Sequence, residues 1–527
     1  MKRLGSFFQK CIAYLSAALL GLVFILTIFF PDMVPSIPKK FLLPNGILLL
    51  VAFGGWAFFV IVFQNITGGK LCVSLSGRRA LNPAQIDRAV GWSCVLLFFL
   101  QLYITFNIFF VTAWDAGTIW GTALFRTEGS PLNEAYFSRY PNNLLLLLLE
   151  TFLAKVHYMF GFLPEEYAPM ACIAADCAAI TLACYFTYRE LCLLTDRRYA
   201  VIGFLLCVVL AGLSPWMCIF YSDSFGILFP ILTIYLYSKP WKKEWSKFCG
   251  KAAAICVGCI GYYMKPQCII PVIGILCVEL ICALMRRSAR NGRNLLVLLI
   301  TALLALNLVG NLITWKYESI GVYLDGEERF GAAHFFMMGL NEKTQGVYDE
   351  DDVQFSGSFA TAKDRNRADM AVAMDRIRQM GPNGYFRQLV KKLLRGYSDG
   401  TFSWGGEGHF YPSIREEVNR WMGPRLRELF YSYGSKYRFL ALAEQTAWIG
   451  VLLFAGAFEL LSIKKGNHPG ADVMKLTVLG AMLFMMLFET RARYTFLNVP
   501  IFCALAAQGM ASLEAFFAGR KRTKKAS

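Results

Sequence analysis

Charge is scarce in this chain of 527 residues: Asp, Glu, Lys and Arg together make up 17%, and histidine occurs four times. A surface that dilute cannot solvate a globular fold of this length, and with 56% hydrophobic residues and a mean hydropathy of +0.45 the composition excludes an ordinary soluble protein. The histidines (His157, His334, His409 and His468) are scattered and form no HExxH, which argues against a zinc hydrolase. The chain has no Walker loop and no GxGxxG opening a βαβ unit, which removes support for nucleotide hydrolysis and dinucleotide chemistry. It also has no GxSxG and no Cys/His constellation, and so nothing for an acyl-enzyme. No fixed-period repeat suggests a solenoid, and no inverted repeat of the transporter kind is evident. Cysteine is missing from the polar stretch 315–435; all 16 lie in or beside apolar segments, where the residue packs as a small hydrophobe. Cys256 and Cys259 form a CxxC inside an apolar run with no second pair, which reads as packing rather than zinc or redox chemistry.

What the chain does have is apolar runs of membrane-spanning length. They fall at 8–30, 41–64, 89–113, 168–187, 198–220, 223–238, 250–264, 267–285, 294–314, 438–463, 472–490 and 494–514. Met1-Lys2-Arg3 before the first run resembles a signal peptide, but without a small-residue cleavage site it reads as a retained helix. The net charge of +17 sits largely in short loops between runs, as the positive-inside rule expects of a membrane protein, so no nucleic-acid partner is called for. Lys70/Arg78/Arg79/Arg88, Arg189/Arg197/Arg198, Lys239–Lys251, Arg286–Arg293, Lys464/Lys465 and the tail 520–525 mark the cytoplasmic side. They predict a multi-pass plasma-membrane protein with both termini cytoplasmic and about twelve crossings.

One apolar stretch, 142–162, breaks the alternation if it crosses. Charge bias therefore places it along the outer face, where its Glu150, Lys155 and His157 suit an interfacial helix. The expected organisation is two added N-terminal helices with a basic loop (1–88) and a transmembrane core (89–314) whose first outer loop is 114–167. An extracytoplasmic domain (315–437) and C-terminal helices with a basic tail (438–527) follow.

With that orientation Asp115, Arg139-Tyr140, Asp223, Lys265 and 489–494 share the outer side. Ionised groups near a bilayer core cost about 2.5–3.5 kcal/mol each, so the set points to function. Asp115, where the third run ends at Trp114, is either an interfacial helix cap or a general base. Arg139 and Tyr140 open the interfacial helix and either snorkel to headgroups or position an anionic or sugar substrate. Asp223, in a tight bend, is a cap or orients Lys265 or a substrate hydroxyl; Lys265 needs an anion, for which phosphate is a natural partner. Arg491 and Arg493, beside Tyr494, have the planar fork suited to phosphate, although Glu489 is an alternative partner. In the outer segment Trp404, Glu407 and His409 either cap the site and select the acceptor or form part of that segment's own small core.

Trp114-Asp115, Tyr140-Pro141, Asp223, Lys265-Pro266 and Arg491-Ala492-Arg493-Tyr494, in that order over roughly 89–514, resemble the GT-C superfamily of integral-membrane glycosyltransferases. The similarity is to the branch of protein mannosyltransferases and lipid A aminoarabinose transferase, with its uncharacterised Gram-positive relatives. It implies an all-α, multispanning GT-C-like fold with an outer juxtamembrane helix and a mixed outer domain. It further implies inverting transfer of a sugar from a polyprenyl-phosphate donor to a cell-envelope glycan, lipid or protein. Asp115 would be the base, Lys265 with Arg491 or Arg493 would hold the donor phosphate, and Asp223 would be a supporting acid. The chain departs from the pattern in carrying Arg139-Tyr140-Pro141-Asn142 where the mannosyltransferases have His-Pro-Pro, which leaves specificity open. It also lacks Asp-x-Asp, which favours metal-independent transfer, with one divalent ion between Asp115 and Asp223 as the exception. A transporter or flippase of lipid-linked glycans, or a scaffold, is the alternative reading.

Overall fold

The structure, a computed structural model, describes residues 2–31, 43–68, 82–127, 134–161, 169–286, 289–407, 413–414, 419–462 and 468–526. Several of the basic-loop residues (Lys70, Arg78, Arg79, Arg287, Lys464 and Lys465) and His409 lie outside them. The fold is all-α apart from one two-stranded ribbon. In chain order the helices are α1 (Lys2–Phe29), α2 (Asn45–Gly68), α3 (Pro83–Ile108), α4 (Asp115–Thr127), α5 (Glu134–Arg139), α6 (Leu144–Phe160), α7 (Pro169–Leu194), α8 (Arg197–Cys207) and α9 (Leu228–Ser238). They continue with α10 (Glu244–Met264), α11 (Ile270–Arg286), α12 (Ala289–Glu318), α13 (Ala332–Gly339), α14 (Glu350–Gly357), α15 (Ala362–Tyr397), α16 (Trp404–Glu407), α17 (Gly423–Phe430), α18 (Tyr437–Ser462), α19 (Pro469–Leu487), α20 (Arg493–Phe496) and α21 (Val499–Ala526).

Nine helices among the described residues are long and apolar enough to cross a membrane. The count of twelve is not reached on that criterion, for local reasons. Eight of the twelve expected runs qualify, the ninth helix being Pro141–Phe160; run 250–264 lies in Glu244–Met264, which does not qualify, and runs 41–64 and 223–238 contain only the shorter apolar helices Asn45–Phe59 and Phe225–Ser238. Run 198–220 is not one helix: α8 passes into a π turn at Val208–Gly212 and then a 3-10 turn at Pro215–Cys218. The π turn leaves the Gly212 carbonyl without a helical partner, and Gln101 of α3 donates to it at 2.7 Å while accepting from Thr181 at 2.8 Å.

α21 is the centre of the bundle, buried along Val499–Ala507 and packed on α18, α7 and α8. Gly509 makes the α18 approach possible, since a Cβ there would lie 1.8 Å from the Phe454 carbonyl oxygen. The helices also agree on polarity. Asp87 near the start of α3 pairs with Arg197 at 3.0 Å, and Glu514 far along α21 reaches Arg198 at 3.7 Å. The opposite ends of α3 and α21 meet the polar segment that follows α12. The Arg197-Arg198 turn and the polar segment thus occupy opposite ends of one bundle.

α6 qualifies as a span by composition, but its connections place it against the polar end. It starts at Asn143, bonded to Tyr136 of α5 at 3.0 Å, and Tyr317 at the end of α12 donates to the Leu144 carbonyl at 3.1 Å. The next helix, α7, starts at the same end: Pro169 and Cys172 enclose a 40 Å³ cavity with Thr112, Glu150 and Phe220. Both ends of the α6 excursion are therefore on one side of the bundle.

The polar segment packs its own small core of Met337, Leu340 and Ala373. The expected helical stretches 366–380 and 385–395 are the two halves of α15, broken at Gly381 (φ 60°) before Pro382. In its second half Lys392 is 1% exposed and donates to the Gly339 carbonyl at 2.8 Å. Burial pushes its ammonium down to about 7 from 10.5, against the pull of Glu489. Below pH 7 the group is charged folded or unfolded and the burial penalty is carried in full. Between about 7 and 10.5 the unfolded chain binds more protons, so stability rises with pH. Lys392→Met is expected to flatten that rise, read as melting temperature against pH in detergent; an unchanged slope would remove Lys392 as its source.

Candidate active site

A cavity of about 730 Å³ lies between the bundle and the polar segment. Asp115 reaches it because of a tight turn. After α3, strand β1 (Phe110–Val111) pairs antiparallel with β2 (Ser413–Ile414), and the chain reverses into α4 at Asp115. Only glycine fits at 117, where a Cβ would lie 1.8 Å from the Thr112 carbonyl oxygen. The first turn of a helix favours a carboxylate. Two phenols orient it, Tyr136 donating to Oδ1 at 3.0 Å and Tyr221 to Oδ2 at 3.3 Å. A carboxylate has about four lone-pair sites, so two remain for another donor.

Next to it, across Trp114 and Tyr221, stands a cation cluster. Lys265 precedes Pro266, which holds it extended (φ −150°, ψ 124°) between α10 and a 3-10 turn. Its ammonium donates to Asp223 Oδ1 and lies 4.1 Å above the Tyr494 ring centroid. Arg493 Nε is 3.4 Å from the other oxygen of Asp223, and its guanidinium stacks 4.4 Å over Trp114. Two cations on one carboxylate leave a net positive charge. Burial lowers the Lys265 ammonium, while Asp223 raises it. On the bend after α19, Arg491 donates to Glu489 at 2.7 Å.

Asp115, Tyr140, Lys265, Arg491, Arg493 and Tyr494 all line the cavity. Asp223 does not. Its side chain is 2% exposed and pairs with Lys265 and Arg493. Arg139 is turned away as well, pairing with Glu328 at 3.0 Å to tie α5 to the polar segment.

Trp404 belongs to the bundle core, not to substrate. It is fully buried, packs on Trp216 and Phe110, and donates to the Phe430 carbonyl at 2.9 Å. The turn before it places Phe402 and Ser403 at positive φ, held by Asp399 accepting from the Thr401 and Ser403 amides. Trp404→Phe is expected to lower stability by about 1–3 kcal/mol through the lost hydrogen bond and packing. Substrate KM should stay unchanged; a raised KM at unchanged melting temperature would return Trp404 to the site. Only the backbone of Glu407 is described, and His409 lies outside the described residues.

Among the cavity residues without a signal in the sequence are Arg329, His334 and Tyr348. Arg329 is exposed and carries no ion pair among the described residues. A lone Arg or His in a polar segment has no spacing signal, and only the fold of α13 against the bend after α19 brings them here. No group of three or more His, Cys, Asp or Glu able to hold a metal occurs among the described residues. Asp115 and Asp223 turn their oxygens to tyrosines and to cations respectively.

No curated protein matches the chain. Among solved structures, the crystal structure of ArnT from Cupriavidus metallidurans in the apo state aligns with 81% of this chain and 78% of its own. The identity is 12% and the TM-score 0.33. The family described as conserved hypothetical integral membrane protein matches residues 7–512, and the chain belongs to it.

Proposed function

We propose that this protein is a GT-C-type membrane glycosyltransferase, moving a sugar from a polyprenyl-phosphate donor to a cell-envelope acceptor at the outer face of the membrane. The carrying observation is that one cavity at the polar end of the bundle is lined by an oriented carboxylate, Asp115, and by a net-positive cluster that adjoins it through Trp114 and Tyr221. The basic loops at the opposite end favour an outward-facing cavity.

In this reading Asp115 takes the proton of an acceptor hydroxyl as its oxygen bonds to the sugar's anomeric carbon. The carbon–oxygen bond to phosphate breaks on the opposite face, inverting the centre. The departing phosphate carries its charge to Lys265 and Arg493, with Arg491 and Arg329 at the same cavity. Asp223 holds the first two cations in place. No step calls for a metal ion, and we propose metal-independent transfer.

The test is reconstitution in proteoliposomes with labelled polyprenyl-phosphate sugars and envelope extract, read by mass spectrometry. Sugar on an acceptor supports the reading. Movement of lipid-linked sugar across the bilayer with no acceptor modified would replace it with a flippase.

A further inference from the structure

His334 lines the cavity yet is itself 0% exposed, and its Nε2 has no protein hydrogen-bond partner among the described residues. The other ring nitrogen is fully accounted for. Nδ1 is 2.7 Å from Ser356 Oγ, and Ser356 donates its one proton to Asp369 Oδ1, also at 2.7 Å. A hydroxyl that has given its proton to a carboxylate can only accept from the imidazole. Nδ1 therefore carries the hydrogen, and Nε2 is left as a lone pair.

Arg365 makes the arrangement rigid. It is 1% exposed and donates to the carbonyls of Ser356 (2.9 Å), Glu327 (2.6 Å) and Phe359 (2.8 Å) while lying over the Phe330 ring. Its charge also counters the burial that raises the Asp369 carboxyl. Burial pushes the His334 imidazole down to about 4, against the pull of Glu489 and Asp352, so the ring is neutral at neutral pH. A neutral lone pair beside a wall of Phe330 (4.4 Å between ring centroids) and Tyr140 suits an uncharged, hydroxyl-bearing ring and rejects an anion.

We propose that His334 Nε2 is the hydrogen-bond acceptor of a saccharide-hydroxyl subsite in the cavity, its tautomer set by Ser356 and Asp369 as positioning residues. Resting on the transferase reading, the subsite would hold the incoming acceptor rather than the donor phosphate. His334 is too weakly basic to replace Asp115; it orients.

The experiment is ¹⁵N NMR of histidine-labelled full-length protein in nanodiscs. With four histidines in the chain, His334 is assigned by the signal lost in His334→Gln. The wild type is expected to show protonated Nδ1 and bare Nε2. In Ser356→Ala the Nδ1 hydrogen loses its acceptor, and the ring is expected to shift toward the Nε2-protonated tautomer. Methyl β-glucopyranoside, added up to its solubility, should shift the wild-type Nε2 signal, and inorganic phosphate should not. A protonated Nε2 in the wild type, an unchanged tautomer in Ser356→Ala, or an Nε2 indifferent to the glycoside each overturns the proposal. In the transfer assay Ser356→Ala should raise the acceptor KM roughly tenfold, about one hydrogen bond, with kcat changed less. Failure of transfer with the Nε2 shift intact would sink the transferase reading alone.

Discussion

Asp115→Asn is expected to reduce sugar transfer by a factor of about 10² to 10⁴, the usual contribution of a positioned general base. The substitution preserves shape and removes only the ability to take a proton. Tyr136 and Tyr221 present hydroxyl groups at 3.0 and 3.3 Å, one of which the amide oxygen can still satisfy. Donor binding is expected to persist, because Lys265 and Arg493 are held by Asp223, not by Asp115. The measurement is initial rate at saturating donor alongside donor affinity. Loss of rate with affinity retained assigns Asp115 to the chemical step. Rates within twofold of wild type would remove it, and affinity lost in parallel would make it a binding residue. A scaffold would be indifferent on both counts.

The sequence carried the large-scale features because they rest on composition and charge placement. Apolar runs and basic loops are local properties, and they are enough to predict a multispanning bundle with Asp115, Lys265, Arg491 and Arg493 at one end. The outer-face reading of 142–162 rests on the same charge bookkeeping; the start of α6 lies at the polar end, and the helix itself is long and apolar enough to cross. What sequence reading could not resolve was orientation within an element. Asp223 and Arg139 were recognisable as charges in the right region, but whether a side chain faces cavity or partner depends on neighbours distant in sequence: Lys265, Arg493 and Glu328. Trp404 illustrates the same ambiguity, since an aromatic in a Gly-rich loop suits sugar stacking and core packing equally until Trp216 and Phe110 are seen against it. His334 had no signal at all, because its partners Ser356 and Asp369 come from two other helices of the polar segment, α14 and α15.

Asp223→Asn is expected to be the most destabilising single change at the site, by about 3–5 kcal/mol. The magnitude follows from burial. Asp223 is 2% exposed, and removing its charge takes away the carboxylate that the buried Lys265 ammonium and Arg493 guanidinium share. The Arg139–Glu328 pair makes the comparison: at about two-fifths exposed on each side, it is worth at most about 1 kcal/mol. Melting temperature in detergent should therefore fall steeply for Asp223→Asn and barely for Glu328→Gln. The double variant Asp223→Asn, Lys265→Met separates lost attraction from stranded charge. Removing one of the stranded cations should restore part of the stability while leaving transfer abolished, because the phosphate then meets only Arg493 at that wall. If the double variant is no more stable than Asp223→Asn alone, the loss comes from packing of the bend at 219–224 rather than from charge, and the bridging role of Asp223 falls.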